Sequence, residues 1–268
     1  MFAFWTTLSK SWVTTRARAL WWYYTGRFHL RRSDQSVCIH VQPPGKQQYS
    51  LNWETPEDAR NSLRFFSPDN PWLHFNLPSD IKTVIDLGAN IGISSLYWSM
   101  QYPMAQIYAV EMVASNAERC RKLLEQNHAK AEVIQAAVAA SDGVLEYQAN
   151  PNHTRSHLQV FQDIPTDQAK LVSVQTYSMA SLLRKLSLQH VDLLKVDIEG
   201  SEIYLLESIE SWAPAVRFML MELHHNIVFD DAVRRVKQAG FEIVGEDHAQ
   251  RTEIFCRRVD AAAVTRSA

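Results

Sequence analysis

The residues best suited to chemistry are carboxylates that stand beside glycines at the ends of apolar runs. Asp86 lies at the end of one such run, and Gly88 and Gly92 follow it with Asn90 between them. The chain has only 8 glycines, so this pair predicts a tight turn before a helix, where backbone N–H groups can approach a ligand. Asn90 tolerates the left-handed conformation that such a turn uses. The alternative is a turn that closes a strand–helix unit without any ligand.

The spacing of this turn distinguishes two classes of nucleotide site. A dinucleotide site requires G-x-G-x-x-G, whereas this chain has Gly88-x-Asn90-x-Gly92, preceded by Asp86. The pattern D-x-G-x-N-x-G resembles the form used with S-adenosylmethionine. Glu111 ends the next predicted strand, where a carboxylate can accept both hydroxyl groups of a ribose. Alternatively, Glu111 only stabilises the start of the following helix.

A second acidic stretch follows a later apolar run. Lys195, Asp197 and Glu199 alternate on one side of an extended segment that ends at Gly200. Paired acids at the end of a strand can bind a divalent metal, the ammonium group of a cofactor or the hydroxyl groups of a substrate. The alternative is that Glu199 and Glu202 only stabilise the first turn of the next helix.

Two histidines follow another predicted strand on the same edge of the sheet. His224 or His225 is a candidate general base, because the ordinary pKa of histidine lies near neutral pH. A more specific hypothesis is that a divalent ion such as Mg²⁺ is bound by Asp197, Glu199 and His224 and acidifies a sugar diol. The alternative is that a histidine here is an ordinary core or surface residue.

The polar stretch 150–169 is long for a connection inside a compact domain, and such loops often carry function. His153, Arg155 and His157 lie in it and are donors suited to a polyhydroxylated or anionic acceptor. An ordinary solvated loop is the alternative.

Alternating strands and helices must position these residues. The predicted strands are 83–87, 106–110, 132–138, 144–147, 171–176, 191–196, 216–223, 241–244 and 253–256. The predicted helices are 93–102, 116–127 (capped by Ser115), 179–186, 201–209 and 227–239. This order predicts an α/β fold with a mostly parallel sheet that helices cover on both faces. Ligands bind such sheets at the carboxyl ends of the strands, where the acidic residues fall.

Composition limits the function classes. The 268 residues are 46% hydrophobic and 21% charged with a net charge of -2, so a large core is expected and nucleic acid is not an expected partner. The three cysteines are widely spaced and odd in number. We therefore expect neither a disulfide framework nor a zinc site, and we expect a cytoplasmic, reducing environment.

Residues 1–80 are predicted to form an aromatic, basic helix followed by a cap with strand 36–41 and helix 56–66. The first 32 residues carry six basic side chains and no acidic one, without the compact apolar core of a secretory signal. Such a helix either packs on the protein or a second subunit, as in a homo-oligomer, or lies peripherally on a membrane. Residues 81–259 are predicted to be the catalytic domain, and residues 260–268 a tail.

Residues 84–95, 108–127 and 194–202 resemble the FkbM family of S-adenosylmethionine-dependent methyltransferases. Val-Ile-Asp-Leu-Gly-Ala-Asn-Ile-Gly and Leu-Lys-Val-Asp-Ile-Glu-Gly-Ser-Glu are similar to its two most recognisable motifs. The chain departs from the family at Glu111-Met112, where members often have Glu-Pro, which affects the loop more than the carboxylate.

The resemblance implies a Rossmann-like class I fold with a seven-stranded sheet, and methyl transfer to a hydroxyl of a saccharide or natural product. It also implies site roles: Asp86, Gly88, Asn90 and Gly92 around the methionine part of the cofactor, Glu111 at the ribose, Ala137 and Val138 at the adenine, and Asp197 and Glu199 facing the methyl group and acceptor. Other hypotheses are N- or carboxyl methylation and an inactive scaffold that binds the cofactor. A nicotinamide oxidoreductase is disfavoured by the glycine spacing.

Overall fold

The computed structural model describes residues 7–8, 37–41, 48–55, 58, 61–62, 64–65, 75, 77–149, 170–224, 226–246 and 252–259. Its strands are β1 Thr7–Leu8, β2 Val37–Val41, β3 Tyr49–Trp53, β4 Thr83–Leu87, β5 Gln106–Glu111, β6 Ala131–Gln135, β7 Ala137–Val138, β8 Gly143–Ala149, β9 Lys170–Tyr177, β10 Val191–Val196, β11 Val216–Glu222, β12 Phe241–Glu246 and β13 Glu253–Arg258. Its helices are α1 Ile93–Gln101, α2 Ala114–Gln126, α3 Met179–Lys185, α4 Glu202–Glu207 and α5 Phe229–Gln238, with 3₁₀ turns at Ile209–Ser211 and Ala213–Ala215.

A seven-stranded sheet in the order β12-β13-β11-β10-β4-β5-β6 forms the centre of the fold. Five adjacent strands, β11, β10, β4, β5 and β6, run parallel to one another. Strand β13 is antiparallel to both of its neighbours, β11 and β12. Every residue of β10 is buried, including Asp192 and Lys195, and its other four residues are apolar, as in the central strand of a parallel sheet. The prediction of a mostly parallel, seven-stranded sheet is confirmed.

Two apolar clusters lie on opposite faces of this sheet, because successive side chains of a strand point to opposite sides. On β4, Val84 belongs to the cluster with Trp98 of α1, and Ile85 belongs to the cluster with Leu182 of α3. Helices therefore cover both faces, as predicted.

The predicted strand 132–138 is interrupted at Ala136. Its N–H group donates to the carbonyl oxygen of Glu111 (3.1 Å), and the chain then enters a second sheet of order β7-β9-β8. The predicted cap of α2 is also wrong. Val113 occupies the N-cap position without a side-chain cap, and Ser115 lies inside the helix.

The N-terminal region is described only in part. Thr7 and Leu8 pair with β2 as a short parallel strand, so the predicted helix is wrong at these two residues, where backbone pairing with a strand replaces helical hydrogen bonds. The rest of residues 1–32 lies outside the described residues, and the oligomer and membrane hypotheses stay predictions. Sequence reasoning missed β3, which pairs antiparallel with β2. No helix in the described ranges is both long and apolar enough to cross a membrane.

A helical stretch follows β3 at residues 58, 61–62 and 64–65. Thr55 begins it, as predicted: its Oγ1 accepts the N–H group of Asp58 (3.2 Å), and Asp58 Oδ2 accepts the N–H group of Thr55 (2.9 Å). This reciprocal pair satisfies N–H groups that a helix start leaves free.

Candidate active site

A cleft opens at the carboxyl ends of β4, β5, β10 and β11. Its walls come from both the central sheet and the N-terminal helical stretch. The residues that line it include Asn61, Arg64, Phe65, Gly88, Ala89, Asn90, Glu111, Met112, Ala137, Val138, Lys195, Asp197, Ile198, Glu199, Glu222 and His224. Of the predicted site residues that the structure describes, only Asp86 and Gly92 lie behind this surface.

The glycine turn is fixed by contacts within the protein. Gly88 has φ +74, and a Cβ atom there would lie 1.8 Å from the carbonyl oxygen of Asp197. Asn90 adopts the predicted left-handed conformation with φ 50. The N–H groups of Gly88 and Ala89 both donate to the carbonyl oxygen of Val110 (3.0 Å each). These two N–H groups therefore close the turn, and any contact of the turn with a ligand is left to its other groups.

Asp86 is fully buried beneath the turn. Its Oδ2 accepts hydrogen bonds from the hydroxyl groups of Ser94 and Ser95 (2.6 Å each), at the start of α1. Its Oδ1 lies 3.0 Å from the ammonium group of Lys195. Asp86 thus ties β4 to α1 and β10, and it supports the turn from below.

Sequence reasoning placed Lys195 beside the acids but gave it no role. Its ammonium group donates to the carbonyl oxygens of Leu87 (3.2 Å) and Gly88 (2.9 Å) and lies 3.7 Å from Asp197 Oδ2. Burial alone would lower the pKa of Lys195, but Asp86 and Asp197 raise it above its ordinary value. Lys195 therefore fixes the turn as a buried cation, through two hydrogen bonds to carbonyl oxygens and an ion pair with Asp86.

Glu111 lies at the end of β5, with its side chain against the cleft. Its Oε2 accepts the N–H group of Asn90 and its Oε1 accepts that of Val113 (2.8 Å each). Burial raises the pKa of Glu111 to about 7, and the two backbone hydrogen bonds only partly oppose this effect. Ala137 and Val138 of β7 line the same cleft.

The acidic segment after β10 is held by Glu202. This carboxylate is fully buried and accepts the N–H groups of Ile198 and Gly200 (2.8 Å each). Glu199 lies between them in a left-handed conformation, with φ 54. The alternative in which Glu202 only stabilises the first turn of a helix is therefore wrong, since it shapes the segment that presents Asp197 and Glu199.

His224 is surrounded by three carboxylates. Its Nδ1 lies 3.0 Å from Glu202 Oε1, and its Nε2 lies 3.2 Å from Glu199 Oε2 and 3.8 Å from Asp197 Oδ1. Burial alone would lower the pKa of His224, but the hydrogen bonds to Glu199 and Glu202 raise it to about 10. A raised pKa favours the ring that is protonated on both nitrogens and donates to the surrounding carboxylates, and the role of His224 as general base stays a prediction. His225, His153, Arg155 and His157 lie outside the described residues.

Arg64 reaches the cleft from the N-terminal helical stretch, and no local pattern predicts this position. Its guanidinium group lies 2.7 Å from Glu222 Oε2 and 2.5 Å from Glu253 Oε1. These glutamates face each other across β11 and β13, where like charges destabilise a sheet. Arg64 neutralises part of this repulsion.

The strand order, the glycine turn after β4 and the acids at the ends of β5 and β10 together define a Rossmann-like class I methyltransferase. A sequence model described as "Methyltransferase FkbM domain" matches residues 86–243, more than half of the chain. The chain therefore belongs to the FkbM methyltransferase family, whose fold implies S-adenosylmethionine as the methyl donor.

Two relatives and one solved structure illustrate the similarity. Methyltransferase sdnD of Sordaria araneosa is 29% identical over 167 residues, covering 50% of this chain and 62% of the relative. Methyltransferase 1 of Beauveria bassiana (strain ARSEF 2860) is 25% identical over 150 residues, covering 49% and 59%. The matches thus span less than two thirds of either relative. The crystal structure of Methyltransferase FkbM from Methylobacillus flagellatus KT has 15% identity and a TM-score of 0.47, covering 74% of this chain and 47% of that one.

Proposed function

We propose that this methyltransferase transfers the methyl group to a hydroxyl group of a saccharide or of a glycosylated or hydroxylated natural product. The observation that carries the proposal is the concentration of carboxylates in the cleft. Asp197, Glu199 and Glu222 line it together with Glu111. Carboxylates are good acceptors for the hydroxyl groups of a polyol, and their charge disfavours an anionic acceptor.

The described residues fit S-adenosylmethionine. The amide oxygen of Asn90 is buried and has no hydrogen-bond partner among the described residues, so it offers an acceptor to the ammonium end of the cofactor. We assign Gly88 and Asn90 to the methionine part, Glu111 to the ribose hydroxyl groups, and Ala137 with Val138 to the adenine. Asp86 and Gly92 act from behind the cleft surface. When bound, the cofactor supplies an electrophilic methyl group on a positively charged sulfur, which the acidic cleft favours.

We assign the acceptor hydroxyl to Asp197 and Glu199. Positioning contributes much of the rate when a hydroxyl oxygen displaces the sulfur from the methyl carbon. The protonated ring of His224 holds both carboxylates in place. Lys195 fixes Asp197 from the other side. The methyl–sulfur bond of the donor would break as the oxygen–carbon bond forms, and we assign a carboxylate oxygen of Asp197 to accept the hydroxyl proton.

A second arrangement of the same residues binds a divalent ion. Asp197, Glu199 and His224 each offer one ligand atom, and these atoms lie within 4.8 Å of one another. Ligand atoms bound at right angles about 2.1 Å from a metal lie about 3 Å apart, close to the 3.2 Å between His224 Nε2 and Glu199 Oε2. Glu202 holds the other ring nitrogen, as carboxylates commonly do beside a metal-bound histidine. A histidine ligand suits Mn²⁺ or Zn²⁺ better than the predicted Mg²⁺.

Calorimetry with S-adenosylhomocysteine tests the cofactor site, because this product analogue needs no acceptor. We expect micromolar binding by the wild-type chain. Absence of binding would contradict the proposed function. Methyl transfer to a panel of sugars, glycosides and amines then tests the acceptor class: transfer to amines alone would favour N-methylation, since an acidic cleft also suits a cationic amine.

A titration with Mn²⁺ and Mg²⁺ in the absence of cofactor tests the metal arrangement. His224→Ala should abolish Mn²⁺ binding if the ion replaces the ring proton. His190→Ala is the matched control, since His190 pairs with Asp192 (3.1 Å) at the opposite end of β10. Equal Mn²⁺ binding by the wild type and His224→Ala would rule out this metal site.

A further inference from the structure

The described residues 48–55, 58, 61–62 and 64–65, here called the N-terminal wall, contribute to the cleft although they precede the family match. Asn61, Arg64 and Phe65 line the same cleft as the glycine turn, and the match begins only at residue 86. Phe65 is 8% exposed, and its ring lies 6.0 Å from that of Tyr97 on α1. The wall therefore covers the region where α1 leaves the turn.

Two sets of hydrogen bonds hold β3 of this wall in place. The side-chain oxygen of Asn127 accepts the N–H group of Ser50 (2.7 Å), and its amide nitrogen donates to the Ser50 carbonyl oxygen (2.9 Å). The indole N–H group of Trp53 donates to the hydroxyl oxygen of Ser62 (2.8 Å). The first contact anchors the wall to the catalytic domain, and the second joins its strand to its helical stretch.

A buried ion pair forms the third and strongest fastening. Asp58 is 1% exposed, and its Oδ2 lies 2.6 Å from the guanidinium group of Arg119 on α2. The same oxygen accepts the N–H groups of Glu54 (2.7 Å) and Thr55 (2.9 Å). A buried carboxylate that loses a cationic partner is strongly destabilised. Arg119 therefore fixes both the start of the helical stretch and the direction in which it runs.

We propose that the N-terminal wall is part of the cofactor and acceptor site, and that Asp58 and Arg119 are positioning residues that hold Arg64 and Phe65 against it. The proposal rests on the proposed function, because it assigns further residues to the same cleft. Arg119 does not line the cleft, and it contacts the wall through Asp58. By linkage, a ligand that contacts the wall and the Asp58–Arg119 ion pair that holds the wall must stabilise each other.

The first experiment compares the affinity of the full chain for S-adenosylhomocysteine by calorimetry, at a temperature where all variants are folded. Arg119→Ala should raise the dissociation constant about tenfold or more, equivalent to one lost ordered contact. Arg121→Ala is the matched control: it lies on the same helix and pairs with exposed Glu118, so its effect should stay within about twofold. If Arg119→Ala binds as tightly as the wild type, the wall is not part of the site.

A double-mutant cycle separates positioning from general stability. If Arg119 acts through Phe65, the dissociation constant of the Phe65→Ala, Arg119→Ala double variant should equal that of the weaker-binding single variant. Multiplying effects would show that the two residues act independently and would overturn the positioning role. The guanidinium group of Arg119 also contacts Glu54 Oε2 through its Nε (3.3 Å). Should Arg119→Ala fail to fold, Arg119→Lys keeps the charge but cannot contact Asp58 and Glu54 through separate nitrogens. Its affinity should lie between that of the wild type and that of Phe65→Ala. A wild-type affinity for Arg119→Lys would contradict the proposal.

These outcomes separate the two proposals. A wild-type chain that does not bind S-adenosylhomocysteine overturns the proposed function and the role of the wall together. If the wild-type chain binds and the Arg119 variants bind equally well, only the role of the wall is overturned.

Discussion

Replacing Glu111 by Gln probes a carboxylate whose burial opposes its ionisation. The pKa of Glu111 rises from an ordinary value of 4.5 to about 7 because the side chain is buried, despite hydrogen bonds from Asn90 and Val113. The folded protein therefore holds a proton that the unfolded chain releases between these two pH values. Raising the pH through this window lowers the free energy of unfolding by about 3 kcal/mol, of which about 2.5 kcal/mol falls between pH 5 and pH 8.

Glu111→Gln removes this pH dependence. Glutamine has one acceptor oxygen where the carboxylate has two, so one of the two backbone N–H groups loses its partner at a cost of about 1–3 kcal/mol. This cost is the same at every pH. The variant is therefore expected to be less stable than the wild type at pH 5, and to recover about 2.5 kcal/mol relative to it at pH 8.

Urea unfolding at pH 5, 6, 7 and 8 measures this difference. Glu118→Gln removes a half-exposed carboxylate on α2 and controls for the change in net charge. A difference in unfolding free energy between wild type and Glu111→Gln that stays constant across this range would refute the reasoning.

A second readout tests the ribose assignment. The affinity of the wild type for S-adenosylhomocysteine should increase with pH through 7, as the stronger charged acceptor forms. The affinity of Glu111→Gln should not change with pH in this way.

Three further substitutions test other parts of the site. Lys195→Met leaves Asp86 buried without its cation, so thermal and urea unfolding should show a loss of about 3–5 kcal/mol; a near-neutral effect would contradict the role of Lys195 as its counterion. Gly88→Ala places a Cβ atom 1.8 Å from the Asp197 carbonyl oxygen at φ +74, so calorimetry should show lost binding of S-adenosylhomocysteine, and unchanged affinity would mean that the turn can move freely. Glu202→Gln weakens the hold on the acidic segment and should reduce methyl transfer more than cofactor affinity; equal losses of both would indicate that this segment contacts the cofactor alone.

The order of strands and helices could be predicted because it depends on local patterns. Strand β10 was predicted with its observed bounds, since its apolar residues on both sides of the strand favour a buried central strand. The errors fall where tertiary contacts override such patterns. The strand predicted through Ala136 breaks because its partner β5 ends at Glu111, and Ala137 pairs with β9 instead. Helix α2 begins before Ser115 because Val113 takes the N-cap position.

The sequence by itself determined the family, the glycine turn and the presence of acids at the ends of β5 and β10, because a short motif defines a strand, a turn and its chemistry together. Tertiary structure decided what each acid faces. Arg64 lies 158 positions from Glu222 and 189 from Glu253 along the chain, and no periodicity joins them. The charge of His224 likewise depends on three carboxylates that folding brings together. Burial and distance set the pKa of a group, and both are properties of the folded chain.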